Sequence, residues 1–529
     1  MPHHSSKSHD VKHPVINLPH QKTSFFNVIG LNQLRHQAAS HPKQTLVLSF
    51  CAAAVGLLAW HNEQPQTAYA AWSISAYQML AFLIEYSRVL PFDFHATKHI
   101  RQFEEGDVID PKTGKKLAAL NYEGNCPVLY ILTQDPFEQG RAAALATHKQ
   151  NVLAFTKFYR LAPTLLATHN NLQRMLKGQL PHSSSYYENY EAEQQRIISF
   201  PNRLQNEMTG FVEGYNEMLE RYGWPYFFAP PPLTKDELEA LLRTPDSYKM
   251  LACSVAAQQT ATGSEAIRLF DFEMLGNIEV KGAYLIVKPT EHTANNKPQW
   301  TMSFTHAPGF IRVSLINNHH LAVFANEATN MTNKRHYPDG LPELALANAI
   351  AENCRTVDEA IAFIQDHPAA TSHLLTIMDP ENRVCVQLLP LRSNEPFTLI
   401  GHGKQQLPVT NHMLDVDGNR MPETDSWITS LARYTLIEEA FRNGTSMQDL
   451  ARALSVPQTA HMLHLQYERP SSIAPSATAE GDDHRSSPKN TSSLLRIGYH
   501  WGARHPDNRS QADIEPDKLF EKASSMHSA

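Results

Sequence analysis

A chain of 529 residues with 42% hydrophobic side chains is too long for one small core and too apolar for global disorder, so two to four folded units are expected. Its formal net charge of −7 leaves no basic footprint, which excludes nucleic-acid binding as a main role. Five scattered cysteines without a C-x-x-C pair (Cys51, Cys126, Cys253, Cys354, Cys385) argue against a zinc ribbon, a thioredoxin-like site or a disulfide framework.

Residues 1–40 are polar and rich in His and Ser, the composition of a disordered tail. Two uncharged runs follow, Thr45 to Trp60 and Thr67 to Ile84, separated by His61-Asn-Glu-Gln-Pro. Each falls short of the ~20 residues that a spanning helix needs. They predict an apolar helical hairpin over residues 41–95. One reading places it in a membrane, with Arg35 and Lys43 at one end and Arg88, Lys98 and Arg101 at the other kept on one side. The other reading is a buried helix pair of a soluble cytoplasmic protein, since the second run holds Gln78. Membrane association is the favoured reading. A signal peptide fits poorly, because a long polar segment precedes the first run.

Residues 96–252 are expected to form a helical propart, within which 121–235 reads as helical. Asp135-Pro-Phe-Glu has the form of a helix start, with Asp135 as N-cap, Pro136 at N1 and Glu138 completing a capping box. After Ser199, the spacing of Leu204, Met208, Phe211, Tyr215 and Leu219 gives one apolar helical stripe, stopped by Gly223. The Pro181-His-Ser-Ser-Ser segment between them reads as a loop.

Beyond Cys253 the period changes. Tyr284–Pro289, Trp300–His306, Phe310–Asn317 and Leu321–Asn326 read as strands, with a hairpin turn at Asn317-Asn-His-His in which Asn supplies the positive φ. Helices are expected over Leu341–Asn353 and Val357–Asp366, the second opened by Thr356 with Glu359 three residues on. His373–Met378 and Arg383–Leu391 form a further hairpin around Asp379. Residues 469–493 are rich in Pro, Ser, Ala and charge, as in a flexible linker. Residues 494–529 are expected to hold one last strand, Leu494–Trp501, and a disordered tail. Strands, then helices, then strands define an α+β fold with helices covering antiparallel sheets.

The chemistry centres on Cys253, in Leu-Ala-Cys-Ser, followed by Arg268 and Asp271 in Arg-Leu-Phe-Asp-Phe. A thiol and an α-amine on one residue need no separate His, because the amine accepts the thiol proton. Arg268 and Asp271 lie three apart, a spacing at which a short turn or kinked strand aims both at the thiol. An oxyanion needs neutral donors, which Asn supplies. Asn326 ends the run Leu-Ala-Val-Phe-Ala-Asn, and Asn411 sits in Pro-Val-Thr-Asn-His. Adjacent His319 and His320 would point to opposite faces of a strand, so no metal site is expected. No G-x-S-x-G, P-loop or G-x-G-x-x-G occurs, and no cofactor is implied.

An ordered set of segments is similar to the acyl-coenzyme A:6-aminopenicillanate (isopenicillin-N) acyltransferase family of N-terminal-nucleophile hydrolases, and more distantly to bile-salt hydrolases, penicillin V acylases and acid ceramidases. They are Phe137-Glu-Gln-Gly, Asn206-Glu-Met-Thr-Gly-Phe-Val-Glu-Gly, Ala307-Pro-Gly-Phe, Ile316-Asn-Asn-His-His-Leu-Ala-Val, Val409-Thr-Asn-His and Ser430-Leu-Ala-Arg433-Tyr. The resemblance spans roughly residues 120–465. It implies a four-layer αββα sandwich, a helical propart over 96–252 and a catalytic domain over 253–468 that begins with self-cleavage before Cys253. It further implies Cys253 as nucleophile, Arg268 and Asp271 as its orienting pair, Asn326 as oxyanion donor, Asn411 near the α-amine and substrate carbonyl, and Arg433 as a supporting charge. The propart is expected to stay bound after cleavage, and the substrate to be a small amide or acyl compound. Ala252, Phe272 and His320 depart from the family's usual Gly, Trp and Gly. Two other readings stay open: a non-catalytic membrane-tethered scaffold of the same fold, and an ester-cleaving lipase-like member.

Overall fold

A computed structural model describes residues 103–148, 150–151, 200–222, 232–239, 242, 251–261, 263–272, 283–292, 298–306, 309–310, 312–327, 340–389, 397–414, 428–455, 459–468, 494–501 and 510–528. The apolar hairpin expected over 41–95 and the linker expected over 469–493 lie outside these residues. Among the described residues, no helix is long and apolar enough to cross a membrane. Residues 98–529 form one compact unit.

Three strands open the described chain: β1 (Gly106–Ile109), β2 (Lys116–Glu123) and β3 (Cys126–Ile131). They correct the expectation of helix from residue 121. The run Cys-Pro-Val-Leu-Tyr-Ile is buried at every position, and Gly124 turns the hairpin at a φ of +62°. An apolar run this short suits a fully buried strand.

Helix α1 (Pro136–Ala146) starts as expected, with the Asp135 carboxylate accepting from the Phe137 N–H at 2.8 Å. The capping box does not close. Glu138 instead accepts from Lys115 Nζ at 2.6 Å and from Thr133 Oγ1, and the Asp135 N–H reaches Thr133 Oγ1. Helix α2 (Asn202–Tyr222) buries Met208, Phe211 and Tyr215 as the stripe requires.

Glycines explain why α1 and α2 lie so close. A Cβ at Gly140 would stand 1.8 Å from the Glu207 carbonyl oxygen, and one at Gly210 would stand 1.8 Å from that of Phe137. Each helix thus presses its backbone onto the other at a residue with no side chain.

The chain then enters β4 (Leu251–Gln259), β5 (Gly263–Phe272), β6 (Ala283–His292), β7 (Pro298–His306), β8 (Ser314–Asn317) and β9 (Ala322–Glu327). Helices α3 (Glu343–Asn353) and α4 (Val357–Asp366) follow, the latter capped by Thr356 Oγ1 accepting from the Glu359 N–H. Next come β10 (His373–Met378), β11 (Arg383–Leu388), β12 (Phe397–Ile400) and β13 (Gln406–Val409). Helices α5 (Ile428–Asn443) and α6 (Met447–Leu454) precede β14 (Thr459–Glu468) and β15 (Leu494–Trp501). The expected disordered tail is corrected by β16 (Ser510–Ile514) and α7 (Pro516–Ser528). Leu519, Phe520 and Ala523 of α7 are buried in the core.

Two sheets result. One has ten strands in the order β1-β2-β3-β6-β7-β8-β9-β10-β11-β12, the other six in the order β13-β4-β5-β14-β15-β16. Pairing is antiparallel except between β3 and β6. That parallel pair joins residues from before Cys253 to residues after it within one sheet. Strand β6 is covered on both faces: Tyr284 and Ile286 face one core, Leu285 and Val287 the other. This is why it reads as a continuous apolar run. Helices α1, α3 and α4 contact the ten-stranded sheet, whereas α5 and α6 contact the six-stranded one.

The β8–β9 hairpin corrects one detail. The residue at positive φ is His320 (φ 63°), not an Asn. Asn317 instead uses its side-chain oxygen to accept from the N–H groups of His319 and Leu321. The strained His320 is held by Asp517 of α7, 2.7 Å from its Nε2, and by Tyr467, whose hydroxyl donates to its carbonyl. A position suited to Gly thus keeps its turn through contacts from two distant elements.

Candidate active site

Cys253 is the third residue of β4 and is fully buried. Its register partner on β5 is Phe270, and Val255 pairs with Arg268. Opposed residues share a face and faces alternate along a strand. Cys253 and Arg268 therefore lie on one face of the six-stranded sheet. Asp271, paired with Ala252, lies on the other. This corrects the expectation that a turn or kink aims Arg268 and Asp271 together at the thiol. They occupy a regular strand, and Asp271 stands opposite the residue preceding Cys253. Its carboxylate accepts from Thr459 Oγ1 at 2.5 Å.

The buried Arg268 side chain crosses from one sheet to the other. Its Nη1 donates to Asn326 Oδ1 at 2.9 Å and to the Leu269 carbonyl, and its Nη2 donates to the Ala325 carbonyl at 2.7 Å. Asn326, buried on β9, donates through Nδ2 to the Thr410 carbonyl at 3.2 Å. The same short segment carries Asn411. Its Oδ1 accepts from the Cys253 N–H at 2.8 Å and from Arg433 Nη2 at 2.8 Å. Arg433, on α5, also donates through Nη1 to the Cys253 carbonyl at 2.5 Å and to Ser254 Oγ at 2.6 Å. All six residues singled out from the sequence thus meet around one peptide segment, drawn from β4, β5, β9, the loop after β13, and α5.

Burial pushes the Cys253 thiol up to about 11, against the pull of a hydrogen bond and positive charge from Arg268 and a further charge from Arg433. In the uncut chain the thiol is therefore protonated at neutral pH. Desolvation of the thiolate outweighs both guanidinium groups, and the nearby Asp271 carboxylate adds to it. Of the other cysteines, Cys354 and Cys385 are raised to about 12 by burial, and neither has a cation among the causes. Among the described cysteines, only Cys253 has cations that would favour the thiolate.

Several residues of the site carried no role in the sequence. Ser430 accepts from the Asn411 N–H at 2.9 Å and donates to Thr410 Oγ1 at 3.0 Å, pinning the Thr-Asn-His segment to α5. His412 Nδ1 lies 2.9 Å from Ser430 Oγ, and its ring meets Tyr434 edge-on. Thr410, Ser430 and His412 fall inside the two late motifs, which is the signal that could have found them. Ser314, Thr459 and His461 lie in ordinary strands and gave none. Among the described residues no group of His, Cys, Asp and Glu is arranged to hold a metal ion.

A cavity of about 480 Å³ lies away from these six residues, lined among others by Arg203, Glu207, Lys288, Arg312 and Glu352. There Glu207 accepts from Arg312 Nη2 at 2.5 Å and from Lys288 Nζ at 3.1 Å. Lys288 also meets Glu352 at 2.9 Å, and Arg203 meets Glu352 at 3.2 Å.

Residues 279–480 match the model of the acyl-coenzyme A:6-aminopenicillanic acid acyl-transferase family. The matched stretch includes Asn326, Asn411 and Arg433 and begins after Asp271. No curated protein matches the chain. Among solved structures, a Caenorhabditis elegans ortholog of N-acylethanolamine-hydrolyzing acid amidase is similar at 14% identity, over 40% of this chain and 91% of that one, with a TM-score of 0.29. A mutant of conjugated bile acid hydrolase from Clostridium perfringens is similar at 10% identity, over 50% of this chain and 93% of that one, with a TM-score of 0.28.

Proposed function

We propose that this chain, which over residues 279–480 belongs to the acyl-coenzyme A:6-aminopenicillanic acid acyl-transferase family, is a self-processing cysteine enzyme that cleaves a linear amide through an acyl-enzyme. The observation that carries the reading is the Cys253 peptide itself. Its N–H is held by Asn411, its carbonyl by Arg433, and its thiol faces Arg268.

In the first stage the Cys253 sulfur attacks the Ala252 carbonyl carbon. The C–S bond forms, the C–N bond breaks, and the nitrogen takes a proton to become the α-amine. Water then hydrolyses the thioester, releasing the Ala252 carboxylate and restoring the thiol. The new amine has an ordinary pKa of about 7.7–8.0, so a share of it is unprotonated at neutral pH, and it stands where Asn411 Oδ1 already accepts a hydrogen bond. It is the base that takes the thiol proton in each later turnover.

In the second stage the thiolate attacks the substrate carbonyl. The α-ammonium protonates the leaving amine, and water or another amine resolves the thioester. Asn326 donates to the oxyanion, a role worth about 3–4 kcal/mol per donor in comparable sites. Arg268 holds the Asn326 carbonyl oxygen, which fixes the amide so that its nitrogen points away from the guanidinium. N-acyl amines or amino acids with lipid-like acyl chains are the proposed substrate class. The four-layer αββα arrangement belongs to the same reading, supported by helices on either sheet. So does retention of the cleaved propart, supported by the β3–β6 pairing and the buried Glu207 ion pairs.

Purified protein should show a new N-terminus at Cys253, and Cys253→Ala should remain a single 529-residue chain without amidase activity. Wild-type protein that stays whole while hydrolysing an amide would end the self-processing reading.

A further inference from the structure

Behind Arg268 lies a line of buried polar groups that the proposed reaction does not use. Arg268 Nε lies 3.5 Å from Ser314 Oγ. Ser314 Oγ lies 3.1 Å from His461 Nε2, and His461 Nδ1 lies 3.3 Å from His306 Nε2. Arg268, Ser314 and His461 are fully buried and His306 nearly so. The two imidazoles stack at 5.6 Å with planes 11° apart. Phe270 and Tyr499 pack against His461.

Donor chemistry gives the line a direction. A guanidinium only donates, so Arg268 gives its Nε–H to Ser314 Oγ. The Ser314 hydroxyl then donates onward to His461 Nε2. His461 in turn carries its proton on Nδ1 and donates to His306 Nε2. In this arrangement each atom along the line has one role and both rings are neutral. A charged ring would set a second cation behind Arg268 in a dry interior, an arrangement that low dielectric penalises. Asp271 and Glu265 on β5, Cys253 on β4, Tyr284 and Lys288 on β6, His464, Tyr467 and Glu468 on β14, and Arg496, Tyr499 and His500 on β15 are among the titratable groups of the adjoining elements.

We infer that Ser314, His461 and His306 form a positioning relay that orients Arg268 toward the Cys253 thiol. The three are positioning residues, since none touches the reacting atoms. Arg268 has five N–H donors, four hydrogen bonds from it reach protein oxygens, and the Nε bond sets the rotation of the guanidinium about its stem. Loss of the hydroxyl or of the ring nitrogen that receives it frees that rotation. The cation then stands less squarely on the thiol, and thiolate becomes harder to form. This inference rests on the proposed role of Cys253, and the test separates the two.

Alkylation of Cys253 by iodoacetamide, resolved by peptide mass spectrometry against pH, reads the ionisation of that thiol directly. Cys354 and Cys385 in the same sample serve as references. Ser314→Ala removes the hydroxyl. His461→Phe keeps a ring against Phe270 and Tyr499 but offers no nitrogen, whereas His461→Gln restores an acceptor for Ser314. The expected result is an upward displacement of the Cys253 labelling profile by about one pH unit in Ser314→Ala and His461→Phe, a roughly tenfold slower rate at fixed pH. His461→Gln should keep the wild-type profile, and labelling of Cys354 and Cys385 should not change. Wild-type profiles in Ser314→Ala and His461→Phe would overturn the relay, as would a slowing in His461→Gln equal to that in His461→Phe. If wild-type Cys253 is itself no more reactive than Cys354, the nucleophile reading falls first and the relay with it.

Discussion

Two buried clusters of charge in this fold are built on opposite rules. At Glu207 the cations are matched by carboxylates: Arg312 and Lys288 meet Glu207, and Lys288 and Arg203 meet Glu352. At Cys253 the bonds that Arg268 gives to oxygen end on neutral groups, Asn326, Leu269, Ala325 and Ser314, and its remaining pull is on the thiol itself. The described bonds of Arg433 likewise end on neutral oxygens of Cys253, Ser254 and Asn411. The first cluster is electrically closed. Its cations hold Glu207 well below the usual carboxylate range despite full burial, and the ion pairs tie α2 to strands that follow Cys253. In the second, Arg268 turns its charge on the thiol, and under the proposed function the anion it meets forms only during reaction. That is the economy expected of a preorganised site, where dipoles and cations are aimed at charge yet to develop.

The comparison breaks most visibly if the two clusters respond alike to losing one member. Arg268→Met should lower kcat/KM by about a thousandfold or more, the scale of losing a preorganised charge at a developing anion, and should block self-cleavage. Glu207→Gln leaves Arg312 and Lys288 without a carboxylate between them. It should cost about 3–5 kcal/mol of stability, read as a lower denaturant midpoint, while folded protein still cleaves itself and turns over. If Glu207→Gln abolished cleavage in protein with an unchanged midpoint, the division between a closed and an open cluster would be wrong.

A second test asks whether Glu207 depends on the helix crossing that presents it. Gly140 faces the Glu207 backbone carbonyl, and Gly210 faces that of Phe137, each at a distance no Cβ can occupy. Gly210→Ala should force α1 and α2 apart and cost upwards of about 3 kcal/mol, beyond the usual cost of overpacking. The loss should fall on the propart side of the molecule. Hydrogen exchange should therefore quicken in α1 and α2 before it does in β4 and β5. Uniform quickening would mean that the crossing does not separately support the Glu207 cluster.

Much of this was readable from residue order. The stripe of α2, the Asp135 cap and the β6–β9 strands follow from period and capping chemistry, and the six candidate site residues were singled out through family resemblance. What escaped had a common cause. Strand β3 shows no alternation because it is buried at every position, and β2 shows none because its four buried residues are consecutive. The side-chain reach of Glu138 was missed because Lys115 comes from a different hairpin. Strand β16 and α7 follow a long polar segment, so their apolar residues looked isolated until Leu519 and Phe520 met the core. At the site, the face assignment failed: a three-residue spacing along a strand separates Arg268 from Asp271, and only the β4–β5 register reveals it. Ser314 and His461 belong to different sheets and meet only where one sheet packs on the other, a relation absent from local sequence.

The smallest expected effect concerns a buried group that follows neither rule. His373 is 1% exposed, its Nδ1 lies 3.0 Å from the Thr371 carbonyl, and its Nε2 has no hydrogen-bond partner. Burial drives it down to about 3 from an ordinary 6.5, with the Thr371 contact opposing only weakly. A depressed folded value means that stability is intact above pH 6.5 and is lost as pH falls toward 3, because the unfolded chain takes up the proton first. At pH 5 the 1.5 units of unfolded-state advantage are worth about 2 kcal/mol. His373→Leu should therefore show a smaller drop in denaturation free energy between pH 7 and pH 5 than wild type, by about that amount, whatever its absolute stability. Equal pH slopes in wild type and His373→Leu would shift the acid-labile group elsewhere, and the paired imidazoles behind Arg268 would be the next to substitute.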